Sequence, residues 1–123
     1  DTESWRELII EFAADEREFV RRTAFAMMAW SVVHRKKEPA ATFLDFLPVI
    51  EAHATDGRNF VKKAVNWALR AIGSRNFALH RAAVGLSHKL TASTDTASRW
   101  IGRDALRQLS GAATQRRLRA KSN

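Results

Sequence analysis

"DGRNFVKKAVNWAL", residues 56–69, is the stretch whose reading decides the fold. Placed on a helix, Phe60, Val61, Ala64, Val65, Ala68, Leu69 and Ile72 fill one contiguous apolar stripe. Lys62 borders one edge of it, and Asn59, Lys63, Trp67 and Arg70 gather beyond the other. Trp67 lies one turn after Lys63, so the two side chains are neighbours. The order of the residues is as telling as their spacing: an aspartate, an aromatic–aliphatic pair, then basic residues. That order returns in "DEREFVRRTAFAMM" from Asp15 and in "DTASRWIGRDALRQL" from Asp95. Phe19-Val20 matches Phe60-Val61 and then Trp100-Ile101, at offsets of 41 and 40 residues. The third copy carries one extra residue after its aspartate. A period near 40 residues with helical patterning points to HEAT-like units, which bury their apolar faces by stacking.

Each aspartate precedes the second helix of a helical pair. The spacing predicts pairs at Ser4–Ala14 with Arg17–Val33, Pro39–Ala54 with Gly57–Gly73, and Asn76–Leu90 with Asp95–Leu109. Pro39 falls where a first-turn proline is tolerated, and Pro48 falls inside a helix, where it removes a hydrogen bond and should kink it. No window shows sustained period-2 alternation, so strands are not expected. The predicted fold class is all-α, an α-solenoid of about three HEAT-like helical pairs over residues 1–110. A basic tail over residues 111–123 is expected to fray or pack loosely.

Charge is divided unevenly along the 123 residues. Residues 1–55 hold 7 Lys/Arg against 10 Asp/Glu, and residues 56–123 hold 14 against 3, giving −3 and +11 within a total of +8. So basic a half suits a polyanionic partner, with a solvated basic surface as the plainer explanation. There is no cysteine, which removes disulfide and thiolate chemistry and is compatible with a cytoplasmic location. No apolar run approaches the length of a membrane span, so no membrane partner is expected. The chain opens on Asp1 rather than methionine, as a piece of a longer protein would.

Familiar catalytic signatures are missing. His34, His53, His80 and His88 form no i,i+4 metal pair, and neither an HExxH sequence nor a glycine-rich phosphate loop occurs. No metal and no cofactor is expected. The short "RKK" at Arg35–Lys37 reads as a cluster at a helix C-terminus, favoured by the helix dipole.

Two sets of charged residues recur with the repeat. Arg21 and Lys62 each follow a repeat aspartate, Asp15 and Asp56, by six residues, and in HEAT units such pairs usually form a structural ladder. Arg22, Lys63 and Arg103 are equivalent one residue later, so stacking would align them as a basic column on the concave side, with Arg107 one turn beyond. Such a column can follow a phosphate backbone. Among the aromatics, Trp5, Trp30 and Trp100 fall on apolar faces and are expected in the core, with Phe12, Phe19, Phe25, Phe43, Phe46 and Phe60. Phe77 begins a helix and is left open. Spacing alone leaves Trp67 open too, between a helix–helix seam and a ring presented to a ligand. Trp5, Leu8, Ile9 and Phe12 form an apolar face that could receive another helix pair or a second molecule.

"EFVRRTAFAMMAW", "FLPVIEAHATDGRNFVKKAVNWALRAIGSRN" and "ASRWIGRDALRQL", spanning Glu18 to Leu109, resemble the AlkD-like DNA alkylation repair family. Those proteins are HEAT-like-repeat DNA glycosylases, hydrolases that excise cationic N3- and N7-alkylated purines. The resemblance implies a DNA-binding surface in which Arg22 stands for the family's concave-face arginine and Trp67 for its second cleft tryptophan. Lys63 and Arg70 match further basic positions in the same helix. It implies double-stranded DNA, alkylated or not, as the partner. The family's catalytic aspartate, with a tryptophan four residues before it, lies in the helix pair ahead of the one matching Ser4–Val33. The chain therefore resembles the C-terminal half of such an enzyme, with no catalytic residue among its own and no excision expected from these residues alone. Asp15 and Asp56 are ladder residues, not replacements. The alternative is a HEAT scaffold that holds an acidic protein partner on its concave face.

Overall fold

The computed structural model describes residues 4–122; residues 1–3 and 123, at the outer limits of the expected domain and tail, lie outside it. Every regular element among the described residues is an α-helix: α1 (Ser4–Ala14), α2 (Glu18–His34), α3 (Ala40–His53), α4 (Asn59–Gly73), α5 (Phe77–Thr91), α6 (Thr96–Leu109) and α7 (Ala112–Ser122). Within a pair, α1 packs on α2, α3 on α4 and α5 on α6. Between pairs, α4 lies against both α2 and α6, while α3 contacts both α1 and α5. The result is a two-layer stack, with first helices in one layer and second helices in the other. This is the α-solenoid that the 40-residue period predicts.

Local chemistry sets where the helices begin. Asp15 accepts from the backbone N–H of Arg17 (2.9 Å) and from the same arginine's guanidinium (3.1 and 2.8 Å). Asp56 holds Arg58 in the same way, at 3.1 Å to the backbone and 3.0 and 2.7 Å to the guanidinium. Each Asp-x-Arg turn thus delivers the chain, still extended at the arginine, into the next helix. Hydrogen bonds from Arg17 hold the Asp15 carboxyl down at about 2. The third copy differs because of its extra residue. Asp95 is itself the N-cap of α6, accepting from the Ser98 N–H at 2.9 Å. Asn76 caps α5 likewise, through the Leu79 N–H at 2.8 Å. α3 starts after an extended Pro39 and continues through Pro48, which is exposed, so the carbonyl that loses its partner lies on the outer side.

The core runs between the layers. Phe25, Met28, Phe43, Ile50, Val61, Leu69, Ile72, Leu79, Ile101 and Leu109 are fully buried, each contributing about 1.5–3 kcal/mol through removal from water. Gly102 lets α6 approach α5: a Cβ there would lie 2.6 Å from both the Ser87 carbonyl oxygen and the Thr91 backbone nitrogen. Buried Asn66 braces neighbouring pairs, donating to the Ile101 carbonyl at 3.2 Å.

Several expectations are corrected. Phe19 (61% exposed), Phe60 (49%), Trp30 (55%) and Trp100 (39%) are not core residues. In α4 the buried stripe is filled by Val61, Val65, Leu69 and Ile72, and Phe60, at one edge of the stripe, is turned out. It meets Phe19 of the previous pair at a centroid distance of 5.7 Å. Trp100 likewise flanks buried Ile101. Trp30 stacks on His34, 4.4 Å between centroids. The proposed outward face of α1 is also revised. Ile9 is fully buried, Trp5 and Phe12 pack on the core, and Leu8 and Ile10 are the exposed apolar residues. Trp5 is enclosed by Phe46 (6.0 Å, edge-on) and by the Arg35 guanidinium 4.1 Å above its ring.

Nor does the tail fray. Residues 112–122 form α7, which buries Thr114 and Leu118, four residues apart on one face. Thr114 donates to the Gln108 carbonyl (2.8 Å), Gln115 to that of Leu109 (3.3 Å) and Lys121 to that of Ser74 (2.9 Å). The last carbonyls of α6 and α4 thereby gain the donors that their own helices cannot supply.

Candidate functional site

The exposed side of α2, α4 and α6 repeats one pattern. Phe19, Phe60 and Trp100 occupy equivalent positions, and three residues after each comes an exposed cation: Arg22, Lys63 and Arg103. Residues three apart share a helix face, so each second helix presents a ring beside a positive charge. Among the described residues, Arg22, Lys63 and Arg103 have neither an ion pair nor a side-chain hydrogen bond. Lys62 reaches no carboxylate among the described residues; its ammonium lies over the Trp100 ring, 4.8 Å from the centroid. Arg21 does reach one, donating to Asp56 Oδ2 at 2.9 Å and to the Ala13 carbonyl at 2.8 Å. Asp56 receives two guanidiniums, and these, Arg58 above all, hold its carboxyl far below the usual carboxylate range.

Trp67 is 45% exposed and lines a cleft of about 880 Å³. The cleft opens where α2, α4 and α6 end and α7 crosses them, and it also holds Arg70, Arg75, Gln108, Lys36, Arg117 and Lys121. Arg70 is not a free cation. Its Nε donates to Asn66 Oδ1 at 2.8 Å and lies 3.9 Å from Asp104, and its terminal nitrogen bonds Gln108. Arg103 and Arg107 share a second, shallower groove of about 420 Å³ along α6 with Trp100 and Asp104. Arg107 donates to Asp104 at 2.6 Å. Arg22 and Lys63 line neither groove. The structure therefore brings Trp67 together with Arg70 in one place and Arg103 with Arg107 in another.

Arg75 drew no notice in the sequence. It donates to the carbonyls of Val32 (2.6 Å), Arg35 (3.1 Å), Lys36 (3.2 Å) and Glu38 (2.8 Å), and stacks over Phe43 at 4.6 Å. A guanidinium so placed caps α2 and shapes the loop to α3; burial lowers its pKa. These four acceptors lie 37–43 residues away in the chain, so no local signal marks the role. Lys121 is also depressed, first by desolvation and then by Arg117, Arg75 and Lys36 beside it. Among the described residues no three His, Asp or Glu side chains converge as a metal site requires, and no helix is long and apolar enough to cross a membrane.

Two helical layers with repeat-matched second helices define a HEAT-like α-solenoid. The chain belongs to the DNA alkylation repair enzyme family, whose model matches residues 1–109. That membership places it in DNA repair. No curated protein and no solved structure matches it significantly.

Proposed function

We propose that the exposed side of α2, α4 and α6, expected to be the concave one, is a binding surface for double-stranded DNA, alkylated or not, within a glycosylase-like repair protein. The observation that carries this reading is the recurrence of an exposed cation, Arg22, Lys63 or Arg103, one turn from an exposed ring on three successive second helices. Cations recurring with the repeat offer a polyanionic backbone several contacts in a row, and each phosphate neutralised displaces a counterion. Trp67 supplies a π face for a sugar or for the positively charged base that alkylation creates. Arg70, bonded to Gln108 and beside Asp104, supports α4 against α6, while Arg107, paired with Asp104 on its own helix, adds positive potential.

Excision is not assigned to the described side chains. The two carboxylates that line the grooves are already engaged: Glu38 accepts from Thr42 at 2.6 Å and Asp104 from Arg107. The stabilising carboxylate that the family resemblance requires is proposed to belong to another part of the protein.

The test is duplex binding measured by fluorescence anisotropy across a salt series. Log K should fall linearly with log salt, with a slope of about −0.9 for each phosphate neutralised. Arg22→Ala and Lys63→Ala should each make the slope shallower by about one unit. A flat plot would overturn the proposal, and an acidic protein that DNA cannot displace would favour the scaffold reading.

A further inference from the structure

The cleft beside Trp67 is built partly from outside the family-matched segment. Residues 1–109 supply Lys36, Trp67, Arg70 and Arg75, and α7 supplies Arg117 and Lys121. Five cations line it against one carboxylate, Glu38, which already accepts from Thr42. Three of the five cations have structural duties. Arg75 satisfies the carbonyls that end α2, Lys121 that of Ser74 at the end of α4, and Arg70 bonds Asn66 and Gln108. The negative ends of those helices account for Arg75 and Lys121, and the side chains of Asn66 and Gln108 account for Arg70. They do not account for Lys36 and Arg117, which are exposed and, among the described residues, have no ion pair or side-chain hydrogen bond. Five cations thus face one engaged carboxylate, and the Lys121 pKa is lowered first by desolvation and then by Arg117, Arg75 and Lys36.

We propose that this cleft is a second phosphodiester site, in which Lys36 and Arg117 take the DNA backbone that flanks the segment seated on α2, α4 and α6. The inference rests on the DNA-binding reading above and extends it past Leu109 into α7. Trp67 gives the continuity, because it stands on α4 one turn beyond Lys63 and also forms a wall of the cleft. Arg75 and Lys121, anchored to helix ends, keep α7 and the 35–38 loop in place, so that Lys36 and Arg117 face a common space. Arg116, the neighbouring exposed cation of α7, does not line the cleft and serves as an internal comparison.

Salt-dependent binding to a duplex of about two helical turns separates the outcomes. Lys36→Ala/Arg117→Ala should make the log K against log salt slope shallower by about two units, since each neutralised phosphate contributes about 0.9. Arg116→Ala should leave the slope nearly unchanged. Circular dichroism should show full helix content in all three proteins, because the substituted side chains are exposed. If Lys63→Ala lowers the slope and the cleft double variant does not, the second site is overturned while the main surface stands. An equal effect from Arg116→Ala would also overturn it, since net charge alone would then be responsible. If the unsubstituted chain shows no salt-dependent binding, both the site and the reading on which it rests fall.

Discussion

Arg21 of α2 donates to Asp56, the aspartate ahead of the second helix of the next pair, at 2.9 Å. Arg58 joins the same carboxylate at 2.7 Å and reaches back to the Glu16 carbonyl at 2.9 Å. One carboxylate thus fastens two repeats through two arginines, at a site where the Asp56 side chain is largely shielded from water. Removing Asp56 leaves a partly buried guanidinium with no counter-charge. Asp56→Ala should cost about 2–3 kcal/mol in urea unfolding, the scale of a charge-assisted hydrogen bond. A double-mutant cycle with Arg21→Ala should show coupling. Additive losses would mean that the rung does not join the repeats energetically.

Acid should find the same carboxylate. Asp56 titrates below its unfolded value because its ionised form is bound by Arg58 and Arg21. Its stabilising share is complete above about pH 4, the ordinary carboxylate range, and is withdrawn as pH falls through the lower folded value. Stability followed by circular dichroism should therefore fall below about pH 4. Asp56→Asn should start lower and show a flatter decline. Parallel curves for the two proteins would remove Asp56 as a source of acid sensitivity.

Gly102 should resist substitution although it lies within a helix, where alanine is ordinarily favoured. Its added Cβ would meet the Ser87 carbonyl and Thr91 nitrogen of α5, backbone atoms that can move only if the helices part. Gly102→Ala should destabilise by about 1–3 kcal/mol, the usual range for overpacking. At Gly73 the nearest atoms belong to the Leu109 side chain, 2.7 Å away, which can rotate. Gly73→Ala should be milder. Equal losses at the two sites would contradict this ordering.

Trp67 should separate binding from folding. Nearly half of its surface is open to solvent, so Trp67→Ala should barely change the urea midpoint. DNA affinity should fall by about 1–3 kcal/mol, the value of one ring stacking on a nucleotide. Trp67→Phe should recover part of that loss. Equal affinity for all three proteins would place the DNA elsewhere.

Helical periodicity and the return of Asp, aromatic–aliphatic pair and base near every 40 residues were enough to read six helices, their pairing and the solenoid. Those features are local, carried by spacing, caps and a repeat that any stacked copy must share. α7 escaped notice because its 11 residues bury only Thr114 and Leu118, too little periodicity to stand out in a basic segment. The exposure of Arg22, Lys63 and Arg103 was legible too, since each lies beyond the apolar stripe of its helix.

What the rings do was not legible. Phe60 and Val61 are adjacent on one helix, and periodicity puts Val61 within the apolar stripe and Phe60 at its edge, where a ring can be covered or exposed. Only the positions of α2, α3 and α5 around α4 leave Phe60 against Phe19 at the surface. The same holds for Trp100 beside Ile101. Arg75, the cleft at Trp67 and the unbalanced charge of Lys36 and Arg117 depend on helix ends far apart in the chain meeting in space. The sequence by itself determined the repeating unit, because the forces that make a helix act within a few residues. Tertiary structure alone decided which face of each unit meets solvent, because burial depends on what stands opposite.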